Sequence, residues 1–192
     1  NTNIGHQHPK VVAAIQAQAG KLATVAPQHA NEARGEAAKR ITELAPDGKV
    51  LAAKLIEGGK NGVTLNAPKG TAIHDGVLYV ADIDTVRLFD RKTGAPKGEV
   101  PLKGATFVND VALGPDGKLY VSDSGLNAKF EGTGTDAIWV ITPGKKPTAK
   151  ALVKSKDLHA PNGVLVTKDA VLVVTFGAAE LHNDVALFEA AH

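Results

Sequence analysis

The spacing of apolar residues changes once along the chain, near residues 46–50. Before that point apolar residues recur at helical intervals in two groups, which are Val11, Val12, Ile15 and Ala19, then Ala33, Ala37, Ala38, Ile41 and Leu44. Pro9 suits the first turn of a helix, and the second group ends at a Pro-Asp-Gly turn signal. The pattern predicts two helices within residues 1–49.

After residue 50 the pattern consists of short β-branched runs separated by Asp-Gly, Thr-Gly and Pro-Gly pairs. The run LYVAD at 78–82 matches LYVSD at 119–123, and a third copy at 171–175 places Val80, Val121 and Val174 in register. Repeats of about 40 to 50 residues with four short strands each are typical of β-propeller blades, and a plain β-sandwich is the alternative. The strands predicted for the first unit are 70–73, 77–81, 85–90 and 98–102.

The predicted fold is therefore mainly β, with a short helical segment at 1–49, propeller-blade repeats at 50–181 and a tail at 182–192. Propellers close with roughly 4 to 8 blades, whereas residues 50–181 hold about three. We expect an incomplete ring that is completed by missing blades or by self-association, in a chain that is a fragment, a fusion or an incomplete record. The tail repeats the pentapeptide of 109–113 and predicts either a fourth inner strand or sequence joined from elsewhere.

The amino-acid composition and charge of the chain exclude several classes of function. The 192 residues are 43% hydrophobic and 22% charged, which suits a chain with a sizeable core. A net charge of +2 gives no case for a nucleic-acid partner or an anionic membrane, and no apolar run approaches the ~20 residues that span a bilayer. The absence of cysteine excludes disulfides and thiolate chemistry and leaves the cellular compartment open.

Two local patterns favour structural roles. The run GTGTDA at 132–137 has the spacing of a dinucleotide fingerprint, but a strand follows it where a helix is required, which favours a loop. Asp82 and Asp123 each end the second strand of a unit. We expect a repeated structural hydrogen bond from both carboxylates.

Three motifs stand out in the repeats, which are LYVAD at 78–82, FVNDVALGPDGKLYVSD at 107–123 and PNGVL at 161–165. They resemble the gluconolactonase, senescence-marker and luciferin-regenerating family of six-bladed β-propellers, and the resemblance covers about two thirds of the chain. The resemblance implies a divalent cation, usually calcium, at the mouth of the central channel, and hydrolysis of sugar lactones or related esters. It also implies Asn109 and Asn162 as metal ligands and Asp110 as a substrate-binding residue.

The positions of the two asparagines agree with that implication. Both directly precede the innermost strand of their units, so their amide oxygens can converge as hard, neutral ligands suited to calcium. A bound cation would polarise a lactone carbonyl and acidify a water molecule. The alternative is that Asn109 and Asn162 are turn residues whose side chains cap local backbone amides.

The family's acidic ligands have no matching position in this chain. They are a Glu in a first-blade motif and an Asp about one blade after the Pro-Asn-Gly motif. Their absence leaves open a second function, a non-catalytic propeller-type scaffold or binding module.

The first 49 residues resemble a different family. The run NIGHQHPKVVAAIQ at 3–16 looks like the Gly-His-x-His-Pro segment and following helix of class III aminotransferases, which use pyridoxal phosphate. The lysine that forms the Schiff base and the aspartate that pairs with the pyridine nitrogen have no counterpart here. We expect no pyridoxal phosphate, and a fragment of an aminotransferase is a third interpretation of the chain.

Overall fold

The computed structural model describes residues 39–177 and 185–189, and within them the chain is built from β-strands and one short 3₁₀ turn at Lys156–Leu158. Most of the two predicted helices falls at residues 1–38, outside the described residues. The prediction of a helix is wrong where the end of the second helix falls within the described residues, because residues 40–44 form a strand. None of the described helical turns is long and apolar enough to cross a membrane.

The first strand, β1, spans Arg40–Leu44 and pairs antiparallel with β2 at Val50–Glu57. The Pro-Asp-Gly signal that was expected to end a helix makes a hairpin turn instead, in which Gly48 has a φ of 87° and the Ala45 amide donates to the Lys49 carbonyl at 2.8 Å. Ile41 packs toward the core while Leu44 is exposed, so this segment alternates as a strand does.

The other strands form three further antiparallel sheets in which strands that are consecutive in sequence are neighbours. The second sheet contains β3 (Pro68–His74), β4 (Val77–Asp82), β5 (Thr85–Asp90) and β6 (Pro96–Pro101). The third sheet contains β7 (Val108–Leu113), β8 (Leu119–Asp123), β9 (Ala137–Thr142) and β10 (Thr148–Lys154). The fourth contains β11 (Pro161–Val166), β12 (Ala170–Thr175) and β13 (Val185–Glu189). The four strands predicted for the first unit are confirmed as β3 to β6.

Successive sheets pack face to face, which explains the continuous apolar runs. On β4, Leu78 and Val80 pack with Ile56 of β2, whereas Tyr79 and Ala81 face the third sheet. Because neighbouring side chains of a strand point to opposite faces, a strand between two sheets is apolar at every position.

The register of the third repeat differs from the prediction by one residue. Val173, not Val174, is equivalent to Val80 and Val121, because all three are fully buried and face the preceding sheet, whereas Val174 is 47% exposed. The strand pairing agrees with this register. Thr175 pairs with the first residue of the first strand in its sheet, as Asp82 and Asp123 do in their sheets. The uniformly aliphatic run VLVVT carries no alternation from which this register could be read.

The first strands of the three larger sheets lie side by side, with β7 between β3 and β11. Residues 185–189, within the predicted tail, pair with β12 as the third strand of the fourth sheet and do not form an inner strand of another unit. The amino-terminal ends of β3, β7 and β11 are called the first-strand ends below.

Candidate functional site

Three equivalent positions lie at the first-strand ends, and they are occupied by Lys69, Asn109 and Asn162. In each sheet, the first residue of the first strand pairs with the last residue of the second strand. Each of the three residues lies one position after that pair along the first strand. Since β3, β7 and β11 are adjacent, the fold brings the two predicted metal ligands to neighbouring strands. It also places there a lysine that sequence reasoning missed, although the shared offset from the strand start would have shown it.

Asn109 is held by a serine that follows β8. Its side chain is 9% exposed, and its Nδ2 donates to Oγ of Ser124, fifteen residues away, at 3.0 Å. Ser124 Oγ in turn donates to the carbonyl oxygen of Pro161 at 2.6 Å. This chain of bonds fixes the orientation of the Asn109 amide and leaves its oxygen as the atom that suits a cation.

Asn162 is half-buried and is tied to the third sheet through its backbone. Its carbonyl oxygen accepts a hydrogen bond from Ser122 Oγ, which accepts another from the Asp110 amide at 3.0 Å. Ser122 and Ser124 therefore join the start of β11 to the start of β7. The two hydroxyls set the separation of the strand ends that carry Asn109 and Asn162.

Asp110 lies on β7, between the neighbouring first strands. Its carboxylate accepts hydrogen bonds from its neighbour Val111 at 2.9 Å and from Val164 of β11 at 2.9 Å. On the opposite side the carboxylate occupies the space where a side chain on Gly70 of β3 would stand. In this structure Asp110 bridges strands, with both oxygens engaged by backbone amides.

Asp82 and Asp123 confirm the predicted repeated hydrogen bond. Both side chains are fully buried. Asp82 accepts from the amides of Asn66 and Ala67 at 3.0 and 2.7 Å and from Arg87 Nε at 3.1 Å. Each carboxylate thus anchors the segment that enters its own sheet.

The Asp123 carboxylate accepts from the amides of Phe107 at 2.9 Å, Gly125 at 3.1 Å and Thr106 at 3.3 Å. Burial raises the pKa of Asp123 above its ordinary value, although these three donors favour the charged form. The group is therefore a structural acceptor for three backbone amides.

Lys69 fixes β3 to the start of β7 and to Phe107 directly before it. Its Nζ donates to the carbonyl oxygens of Ala67 and Val108 at 3.2 and 3.1 Å, and it lies 4.3 Å from the centre of the Phe107 ring. Desolvation lowers the pKa of Lys69, while the nearby carboxylates of Asp82 and Asp123 raise it. The ammonium therefore places a positive charge at the carbonyl of Val108, the residue before Asn109.

A pocket of about 560 Å³ opens next to Ser124. Its lining residues are Ser124, Leu126, Phe130, Gly132, Gly134, Asp136, Lys156, Ala160, Phe176 and Gly177. Ser124 therefore connects the pocket to the Asn109 amide. A cavity of this size suits a small organic ligand.

The amide oxygens of Asn109 and Asn162 are of the type that calcium binds, but they supply no negative charge. Two amide oxygens are hard neutral ligands, but a calcium site takes six to eight oxygens, usually with carboxylates among them. Within residues 39–177 and 185–189 no three His, Asp or Glu side chains form a metal-binding group. Further ligands would have to come from groups outside the described residues.

No family model matches the sequence, and no curated protein matches it. Function is therefore inferred from the geometry of the first-strand ends, together with the motifs that resemble the lactonase family.

Proposed function

We propose that the three larger sheets are blades of a β-propeller and that the protein is a metal-dependent hydrolase of lactones or related esters. The blade assignment is supported by the consecutive strand order in each sheet and by the adjacent first strands. The strand ends at which the asparagines lie would then face the mouth of the central channel.

One observation carries the proposed activity. Ser124 lines the pocket and also accepts a hydrogen bond of 3.0 Å from the Asn109 amide nitrogen, so one residue links a predicted metal ligand to a cavity of ligand size. Asn109 and Asn162 would hold a divalent cation, with calcium the best match to their oxygens. When bound, such a cation supplies Lewis acidity toward a carbonyl and lowers the pKa of water.

The chain's own residues contribute binding and orientation. The pocket would hold the ester or lactone and exclude water from its apolar part. Ser122 and Ser124 keep the starts of β7 and β11 at a fixed separation. Asp110 contributes by linking β7 to β11, because its carboxylate accepts from the Val111 amide of its own strand and from the Val164 amide of β11, so its predicted part in substrate binding would be indirect.

The test combines calcium titration by calorimetry with lactone hydrolysis in the presence and absence of a chelator. We expect Asn109→Ala and Asn162→Ala each to weaken calcium binding and to reduce calcium-dependent turnover. Asn61→Gly is the matched control, because Asn61 lies in an exposed turn with a φ of 50° that glycine adopts readily. Turnover that is unchanged in both site variants would refute the assignment.

A second candidate function is a non-catalytic binding module. It is favoured because the carboxylates near the asparagines are already hydrogen-bonded within the protein. Asp110 and Asp123 are engaged by backbone amides, and Lys69 holds the third equivalent position with a positive charge. Such a module would bind the same small molecule without calcium and without turnover. Ligand binding that a chelator does not change, with no hydrolysis, would establish it.

A further inference from the structure

The pocket beside Ser124 has large apolar side chains that stand open to solvent. Phe130 and Phe176 are 52% and 46% exposed, and both line the pocket together with Leu126. A ligand that covered these three side chains would remove apolar surface from water, which is favourable in proportion to the area covered.

Phe130 holds its ring at the pocket in an unfavourable backbone conformation. Its φ is 62°, in the left-handed region that glycine and asparagine adopt more easily than an aromatic residue does. The turn is closed by a hydrogen bond of 2.9 Å from the Phe130 amide to the Asn127 carbonyl, and the ring contacts Phe107 at 5.5 Å between centres. An exposed aromatic ring kept at such a position points to a use for that ring.

Two of the polar side chains that line the pocket are engaged within the protein, and the third, Lys156, is exposed. Ser124 Oγ donates to the Pro161 carbonyl, and Asp136 Oδ1 accepts from the Ala160 amide at 2.7 Å. A polyhydroxylated sugar lactone would lose hydration at several hydroxyls and find few partners here. An alkyl chain or an aromatic ring has no hydroxyl groups and would lose little favourable hydration on entering the pocket.

From these observations we infer that the pocket is a specificity site for the apolar part of an uncharged lactone or ester, an alkyl chain or aromatic ring, and that it disfavours sugar lactones. This inference rests on the proposed function for the identity of the reacting group. Recognition resides in Leu126, Phe130 and Phe176, and the end of the pocket at Ser124 takes the carbonyl.

The test measures binding separately from turnover, by calorimetry on the full chain with a chelator present. The probes are a γ-lactone that carries a pentyl chain and glucono-δ-lactone. We expect the pentyl lactone to bind about tenfold more tightly or better, as burial of an alkyl chain predicts. Phe130→Gly, which keeps the φ and removes the ring, should abolish most of that preference without loss of thermal stability.

The matched control is Leu152→Ala, which removes an apolar side chain that is 48% exposed and is not part of the pocket. It should leave both affinities unchanged. Glucono-δ-lactone binding as tightly as the pentyl lactone, or equal effects of Phe130→Gly and Leu152→Ala, would overturn the inference. A preserved binding preference with no calcium-dependent hydrolysis would instead refute the proposed function and leave the specificity site in place.

Discussion

The carboxylate of Asp110 fills the space beside Gly70 on the neighbouring first strand. A β-carbon on Gly70 would lie 2.5 Å from the α-carbon of Asp110 and 2.9 Å from the Val111 amide nitrogen, and would overlap Oδ1 of Asp110. Two of these atoms belong to backbone, which cannot swing away as a flexible side chain can. The close approach of β3 and β7 therefore depends on a glycine at this position.

Gly70→Ala should destabilise the protein by about 3 kcal/mol, since the added methyl group forces the two first strands apart. Chemical denaturation monitored by far-ultraviolet circular dichroism would measure the change. Gly132→Ala is the control, because a β-carbon there meets no atom within 4 Å. Equal stability of the two variants would show that β3 and β7 are not packed as described.

Asp123→Ala should cost about 2 kcal/mol, because it leaves one buried and two partly buried backbone amides without their acceptor. Equilibrium unfolding in urea would give the difference in the free energy of unfolding. Asp169→Ala, at an exposed turn, should change that free energy little. A loss no larger than that of the control would contradict the anchoring role of Asp123.

Lys69 should oppose cation binding at the first-strand ends. Its ammonium bonds to the carbonyl of Val108, the residue before Asn109, so a divalent cation on the Asn109 amide would meet a like charge nearby. Lys69→Met removes the charge and should strengthen calcium binding roughly tenfold. Lys69→Asn, which adds a third amide at an equivalent position, should strengthen it further.

Isothermal calorimetry with calcium chloride would measure both effects. The affinities should rank Lys69→Asn above Lys69→Met above the parent protein. Identical affinities in all three would mean that Lys69 does not face the cation, and weaker binding in both variants would mean that the lysine supports the site.

Much of the strand pattern follows from local sequence. The four strands of the second sheet were predictable in part because an Asp-Gly signal separates the first strand from the second and a Thr-Gly signal separates the third from the fourth. Asp75 and Gly76 adopt the left-handed values that a tight hairpin needs. The end of the second predicted helix was wrong because Ile41 and Leu44 satisfy helical spacing, whereas pairing with β2 decides the conformation of this short segment.

The site was predictable only in part. Asn109 and Asn162 could be placed at strand ends from the repeat, but the contacts of Asp110 with Gly70 and Val164 depend on how three strands pack together. The pocket has no sequence signal, since its walls come from two loops and the two residues after β12. Residue propensity would not predict the left-handed conformation of Phe130 either, because bulky side chains rarely adopt it.

Asp90 provides a test of the turn that joins β5 to β6. Its Oδ1 accepts from the Lys92 amide, the Thr93 amide and the Thr93 hydroxyl, each at 3.0 Å. These bonds, those from Thr93 first, lower the pKa of Asp90 to about 2 from an ordinary value of 3.8. Because the folded pKa lies below the unfolded one, the carboxylate's contribution to stability is present above pH 3.8 and is lost as the pH falls toward 2.

Thr93→Val should therefore raise the pKa of Asp90, since valine keeps the backbone donor and removes the hydroxyl donor. Lys97→Met removes the Lys97 ammonium, 3.3 Å from Asp90 Oδ2, and should raise the pKa less, because this contact has the smallest effect of those on Asp90. Carboxyl carbon chemical shifts followed by nuclear magnetic resonance from pH 6 to pH 1.5 would measure both. A larger rise in Lys97→Met would show that the ion pair, and not the turn, sets the acidity of Asp90.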